Sequence, residues 1–130
     1  MGKDDRNRIR LVVGGVWPIE AVADRPDVWL AEWRVYEIVH PDPDRVTRHL
    51  VGWSMRATYG QVSSAIQCID PVTRRCITRS GRTYHLQGGP GLNEDARYVW
   101  CVWKRLNGID DSRDVTDELA SLLETAGRHR

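Results

Sequence analysis

Phenylalanine is missing from this 130-residue chain and lysine occurs only twice. Aromatic area is therefore left to six Trp and four Tyr, rings with a polar handle that suit binding surfaces as well as cores. Positive charge rests on 17 arginines, whose planar guanidinium matches phosphate and carboxylate in a bidentate way. A GC-rich coding sequence produces the same bias. The three cysteines, Cys68, Cys76 and Cys101, form no C-x-x-C pair, which sets aside zinc ribbons and thioredoxin-type redox pairs. With their odd number and no secretory leader, the chain reads as reduced and cytoplasmic. No apolar run approaches the ~18 residues of a membrane helix. There is no G-x-S-x-G elbow, no Gly-Lys-Ser/Thr behind a glycine loop, and no His pair at ligand spacing, so the common hydrolase, P-loop and zinc signatures are all absent.

What is present fits one domain over 1–130. Hydrophobic residues make up 41% and charged residues 28%, enough to build a core and too apolar for a disordered chain. Net charge is +1 but uneven. Residues 1–44 hold six Lys/Arg against nine Asp/Glu; residues 45–84 hold seven Arg against Asp70 alone; residues 85–130 hold six Lys/Arg against eight Asp/Glu. A basic centre lies between acidic ends, either as an anion-facing surface or as charge neutralised within the fold.

Residues 1–8 are polar and expected to fray. Ile9 to Val13 reads as a short strand, and Pro18 as the first residue of a short helix. Trp29 to His40 reads as a strand, with Trp29, Trp33, Val35 and Val39 on one face and Tyr36 and Ile38 on the other. Pro41-Asp42-Pro43-Asp44 turns the chain. Further strands are expected at Val46–Arg56 and Val62–Ile69, with turns at Tyr59-Gly60 and Asp70-Pro71. Two short strands then flank Ser80-Gly81. Gly88-Gly89-Pro90-Gly91 breaks the strand pattern and reads as a strand-to-helix connector. Val99, Val102, Trp103 and Leu106 recur at helical spacing behind the N-cap Asn93, with Asn107-Gly108 as the stop. Val115, Leu119, Leu122, Leu123 and Ala126 form a second stripe, ended by Gly127 before a basic tail. The expectation is α+β: an antiparallel meander of about five strands within 29–87, and two C-terminal helices within 94–127 packed on one face.

The chemistry-bearing residues divide unevenly. His40, His49, His85 and His129 read as structural or surface groups. Cys68 and Cys76 flank a turn and could approach each other, but a nucleophilic cysteine needs a base that nothing clearly supplies. Asp110-Asp111 and Asp117-Glu118 look like loop and helix-start charges. The most informative stretch is the hairpin Arg74–Leu86, with Arg74, Arg75, Arg79 and Arg82 in nine residues. With Arg45, Arg48 and Tyr84 it forms the candidate anion site: arginines for phosphates, tyrosine for base stacking. The competing reading is a solvated sheet face on which arginine deters edge pairing. The test between them is whether Arg75, Arg79 and Arg82 face solvent or pair with Asp110, Asp111 and Asp114.

Three groups of segments carry a resemblance. They are Trp33–Val39 with Arg48–Gly52; Val62–Ile66 with Asp70–Thr73 and Thr78–Tyr84; and Tyr98–Trp100 with Asn107-Gly108 and Asp114–Thr116. Together they resemble small proteins, of no established activity, carried on plasmids and integrative elements of GC-rich proteobacteria. The resemblance implies an accessory of a mobile element and assigns no catalytic residue. The expected function is non-enzymatic binding without metal or cofactor, through the basic hairpin, to nucleic acid or an acidic protein surface. The alternative is a protein-interaction module that inhibits a host complex such as a defence system.

Overall fold

A computed structural model of the chain describes residues 9–11, 27–40, 42 and 45–128. The expected fraying of 1–8, the helix after Pro18, most of the Pro41–Asp44 turn and the basic tail lie outside the described residues.

Among the described residues, eight strands and two helices follow in order: β1 (Arg10–Leu11), β2 (Val28–Val39), β3 (Val46–Ser54), β4 (Tyr59–Val62), β5 (Ile66–Asp70), β6 (Arg75–Thr78), β7 (Thr83–Pro90), α1 (Glu94–Leu106), β8 (Ser112–Asp114) and α2 (Thr116–Arg128). The strand order is β1-β5-β6-β7-β2-β3-β4, with β8 added against β2. The class is α+β as expected, but the sheet is mixed rather than a five-stranded antiparallel meander. β1 lies parallel to β5 and β2 parallel to β7.

Three local differences explain the miscount. The stretch expected as one strand over Val62–Ile69 is two, because Ser63 between them turns its polar atoms to other work. Its Oγ accepts from the Leu50 amide at 2.8 Å and its carbonyl accepts from His49. Tyr59-Gly60 starts β4 rather than turning; the turn is Met55–Thr58, with Thr58 at φ 58. Gly88-Gly89-Pro90 continues β7 instead of breaking it, with Pro90 beside Trp33.

β2 also departs from simple alternation. Glu32 adopts φ 48, and the pairing with β3 shifts between Ala31 and Arg34. This bulge inserts one residue. Val28, Leu30, Trp33 and Val35 consequently all enter the larger core, whereas Trp29 faces the other way. The larger core adds Leu50, Ile66, Ile69, Cys76, Tyr84 and Leu86 from the sheet and Leu119 and Leu123 from α2. The sheet curls around it. Gln61 Nε2 on β4 donates to Tyr84 Oη on β7 at 3.1 Å, although two strands intervene and a flat sheet would hold these strands about 14 Å apart.

The helices pack on opposite faces, not one. α2 closes the larger core, while Ala96 and Trp100 of α1 join Ile38 and Val51 in a smaller cluster, with Tyr36, Val62 and Trp103 packed against it. Val35 and Tyr36, adjacent on β2, thus serve different helices, as a strand's two-residue period requires. Asn93 caps α1 as expected, accepting from the Ala96 amide at 2.9 Å. The expected apolar stripe is rotated, however: Ala96 and Trp100 are buried, and Leu106 is 80% exposed.

Gly60 sets how closely α1 approaches. A Cβ there would lie 2.5 Å from Ala96 Cα, and its amide donates to Asp95 Oδ2 at 2.7 Å. Gly60→Ala is therefore expected to lower stability by about 1–3 kcal/mol, read as a lower urea midpoint. Gly89→Ala, which meets nothing within 4 Å, should shift it by less than about 0.5 kcal/mol.

Candidate functional site

The hairpin forms as expected, with Gly81 at φ 88 in its turn and Thr78 and Arg82 bonded across it, but its arginines do not act as a set. Arg74, itself at φ 59, is folded back along β7, donating to the carbonyls of Leu86 (3.3 Å) and Gly88. Arg75 lies 4.0 Å from the buried Asp70 carboxylate and donates to Thr73 Oγ1 at 3.0 Å. Arg82 is half-buried: it bonds the Tyr84 hydroxyl, and its Nε has no hydrogen-bond partner among the described residues. Tyr84 is only 2% exposed, so it presents no face for base stacking, and burial raises its pKa against the opposing bonds from Gln61 and Arg82. Arg79 at the turn is exposed and makes no ion pair among the described residues.

The arginines placed on β3 stand apart from the hairpin, with β2 between. Arg48 bridges Glu37 at 2.9 Å and Glu118 of α2 at 3.1 Å. Arg45 is exposed at the strand start. The acidic C-terminal part does meet arginine, but not the hairpin's: Asp114 accepts from Arg34 Nε at 2.9 Å and from the Thr116 amide that begins α2. Burial alone would raise the Asp114 pKa; the bonds from Thr116 and Arg34 outweigh it and hold the carboxyl below its usual value.

A different row of side chains crosses the sheet face turned away from the larger core. Trp29 stacks on His85, its register partner on β7, with ring centres 4.3 Å apart and planes within 8°. Arg56 lies over the same indole, 3.8 Å from its centre. His85 in turn is opposite Arg75 on β6 and bonds Asp27 through Nε2 at 3.2 Å. Four positions on neighbouring elements thus alternate cation, imidazole, indole and cation. Arg56 is exposed and makes no ion pair among the described residues. The guanidinium rests within cation–π distance of the indole, which limits its side-chain freedom. Alternation counted from the sequence places Trp29 on the face of Trp33. Only the bulge separates them, and period-two counting carries no sign of it.

Elsewhere the chemistry is limited. Cys68 and Cys76 are fully buried on adjacent strands, and burial, with Cys68 and Asp70 nearby, pushes the Cys76 thiol up to about 12. Such a thiol supplies no thiolate at neutral pH. No group of three His, Cys, Asp or Glu side chains among the described residues converges as a metal site, and no described helix is long and apolar enough to cross a membrane.

No protein-family model matches the chain, and no curated protein or solved structure matches it.

Thiol titration checks this placement. In the native protein Cys101, the exposed cysteine, is expected to react rapidly, and Cys68 and Cys76 only after denaturation. Rapid labelling of all three would contradict the buried assignment.

Proposed function

We propose that this chain is a non-enzymatic binding protein whose partner is nucleic acid, contacted by the Arg56–Trp29–His85 row together with the hairpin tip at Arg79. The observation that carries the reading is Arg56: an exposed guanidinium 3.8 Å from the centre of an indole, without an ion pair among the described residues. A cation held this way loses little side-chain freedom when it meets a phosphate, and a strand platform that mixes cations with aromatic rings suits a single strand better than a duplex groove. Arg45, at the opposite end of β3 from Arg56, is a separate exposed cation. Arg48, Arg74 and Tyr84, engaged within the fold, serve as its frame. In this reading the chain is an accessory of a mobile element, in keeping with the resemblance carried by its strands and turns.

A second reading has its own observation. Leu92, Tyr98 and Leu106, before and along the outer side of α1, are each at least 69% exposed, and Tyr59 on the strand beneath is 53% exposed. Large apolar groups grouped around one helix suit docking on a protein, the role of an inhibitor of a host complex.

Anisotropy with a labelled single-stranded oligonucleotide separates the two. Binding is expected to weaken steeply between about 50 and 200 mM salt. Arg56→Ala and Arg79→Ala should each reduce affinity roughly five- to tenfold and flatten the salt slope by about 0.7. Binding that ignores salt, or is absent at low salt, rejects the nucleic-acid reading. Recovery of a stoichiometric protein partner that resists nuclease and is lost in Tyr98→Glu would establish the other.

A further inference from the structure

One polar chain lies beneath α1. His49 is 5% exposed. Its Nδ1 is 2.9 Å from the Ser63 carbonyl, its Nε2 is 2.8 Å from Thr47 Oγ1, and that oxygen is 2.9 Å from His40 Nε2. The directions follow from the ends. A carbonyl only accepts, so Nδ1 of His49 carries hydrogen and the neutral ring accepts at Nε2. Thr47 then donates to His49 and accepts from His40 Nε2. The His49 ring leans on Trp103 of α1, 5.1 Å between centres, and Trp103 stacks on Trp100, which stacks on Tyr36.

We propose that the His40–Thr47–His49 chain is a proton-operated latch for α1: protons taken up there release the helix from the sheet while the larger core and α2 stay folded. A proton arriving from water at His40 Nδ1 lets His40 pass its Nε2 hydrogen to Thr47, and Thr47 pass its own to His49 Nε2. His49 becomes an imidazolium with both nitrogens donating, and His40 is neutral again, now protonated at Nδ1 and accepting from Thr47. A second proton, on His40, directs both Nε2–H groups at one oxygen and leaves the Thr47 hydrogen without its acceptor.

The surroundings oppose that charge. Burial lowers the His49 pKa first, partly offset by the bond to the Ser63 carbonyl, and His40, when protonated, and Arg45 lower it further; burial and Arg45 lower the His40 pKa as well. Facing groups from the other elements do not reverse this. β2 presents the Tyr36 phenol, whose pKa is raised by burial and by Asp114 of β8, and lowered by Arg34 and Arg97. α1 brings Lys104, 5.4 Å from the Trp100 ring centre. With the helix released, water reaches the ring and His49 regains its ordinary value of about 6.5. The docked state therefore binds fewer protons than the released one. Docking is fully supported above about pH 6.5 and is lost as the pH falls through the lowered value. α1 is the element suited to yield: its cluster holds four buried residues, Ile38, Val51, Ala96 and Trp100, against thirteen in the core closed by α2.

Native-state hydrogen exchange from about pH 7.5 to 5 tests this, after correction for intrinsic exchange chemistry. The opening constant of α1 should be flat above about pH 6.5 and rise below it, approaching about 10-fold per pH unit for one proton and at most about 100-fold for two, while α2 and β2 keep their protection. His40→Gln should bring the slope to about tenfold at most, and His49→Gln should make the opening of α1 independent of pH in this range. Should His49→Gln fail to fold, the wild type and His40→Gln decide. An α1 opening constant unchanged with pH, or α1 and α2 opening together, would overturn the proposal.

Discussion

One residue too many in β2 governs much of this architecture. Glu32 sits at φ 48, where a non-glycine side chain is strained by about 1 kcal/mol or more. The surroundings hold it there: Gly91 packs against its Cα, and its carboxylate accepts from Asn93, the cap of α1. The extra residue keeps Leu30 and Trp33 on one side although they are an odd number of positions apart. It also coincides with the place where β7 leaves β2. Beyond it the vacated edge is taken by Gly91, by β8 and by the Thr116 hydroxyl, which accepts from the Val35 amide. Without the bulge, Trp33 and Val35 would turn to the α1 side, and the core closed by α2 would lose two of its members.

The same re-phasing separates two kinds of arginine. Those pointing along the sheet or toward α2 are consumed by carboxylates and carbonyls: Arg34 by Asp114, Arg48 by Glu37 and Glu118, Arg74 by β7. Mostly part-exposed, these pairs each contribute little to stability, yet they fix which cations remain for a partner. Among the described arginines of the basic middle, Arg45, Arg56 and Arg79 remain, and Trp29 decides the second of these by turning its ring outward beneath the guanidinium. The basic middle of the chain is thus divided between scaffold and surface.

The two faces of the sheet also differ in what they bury. Leu119 and Leu123 close an apolar core, each worth roughly 1.5–3 kcal/mol of burial. α1 instead rests on aromatic stacks and on a buried histidine whose pKa burial lowers. A helix over apolar residues responds little to acid, whereas one over a buried imidazole is coupled to it.

By itself the sequence determined the class, the strand-rich middle, the hairpin turn at Ser80-Gly81, the Asn93 cap and the α2 stripe, because each depends on neighbours within about a turn or a pleat. It also set the excess of arginine and the scarcity of nucleophile chemistry. Thr47 and His49 were legible as two residues on one strand face, but His40 and Ser63 join them only across a hairpin and a strand break. Tertiary structure decided the parallel pairings, the opposite placement of the helices, the burial of Tyr84 and the alignment of Arg56, Trp29 and His85. Those depend on contacts between residues tens of positions apart and on one bulge, which a local period cannot encode because a single inserted residue reverses every side chain after it.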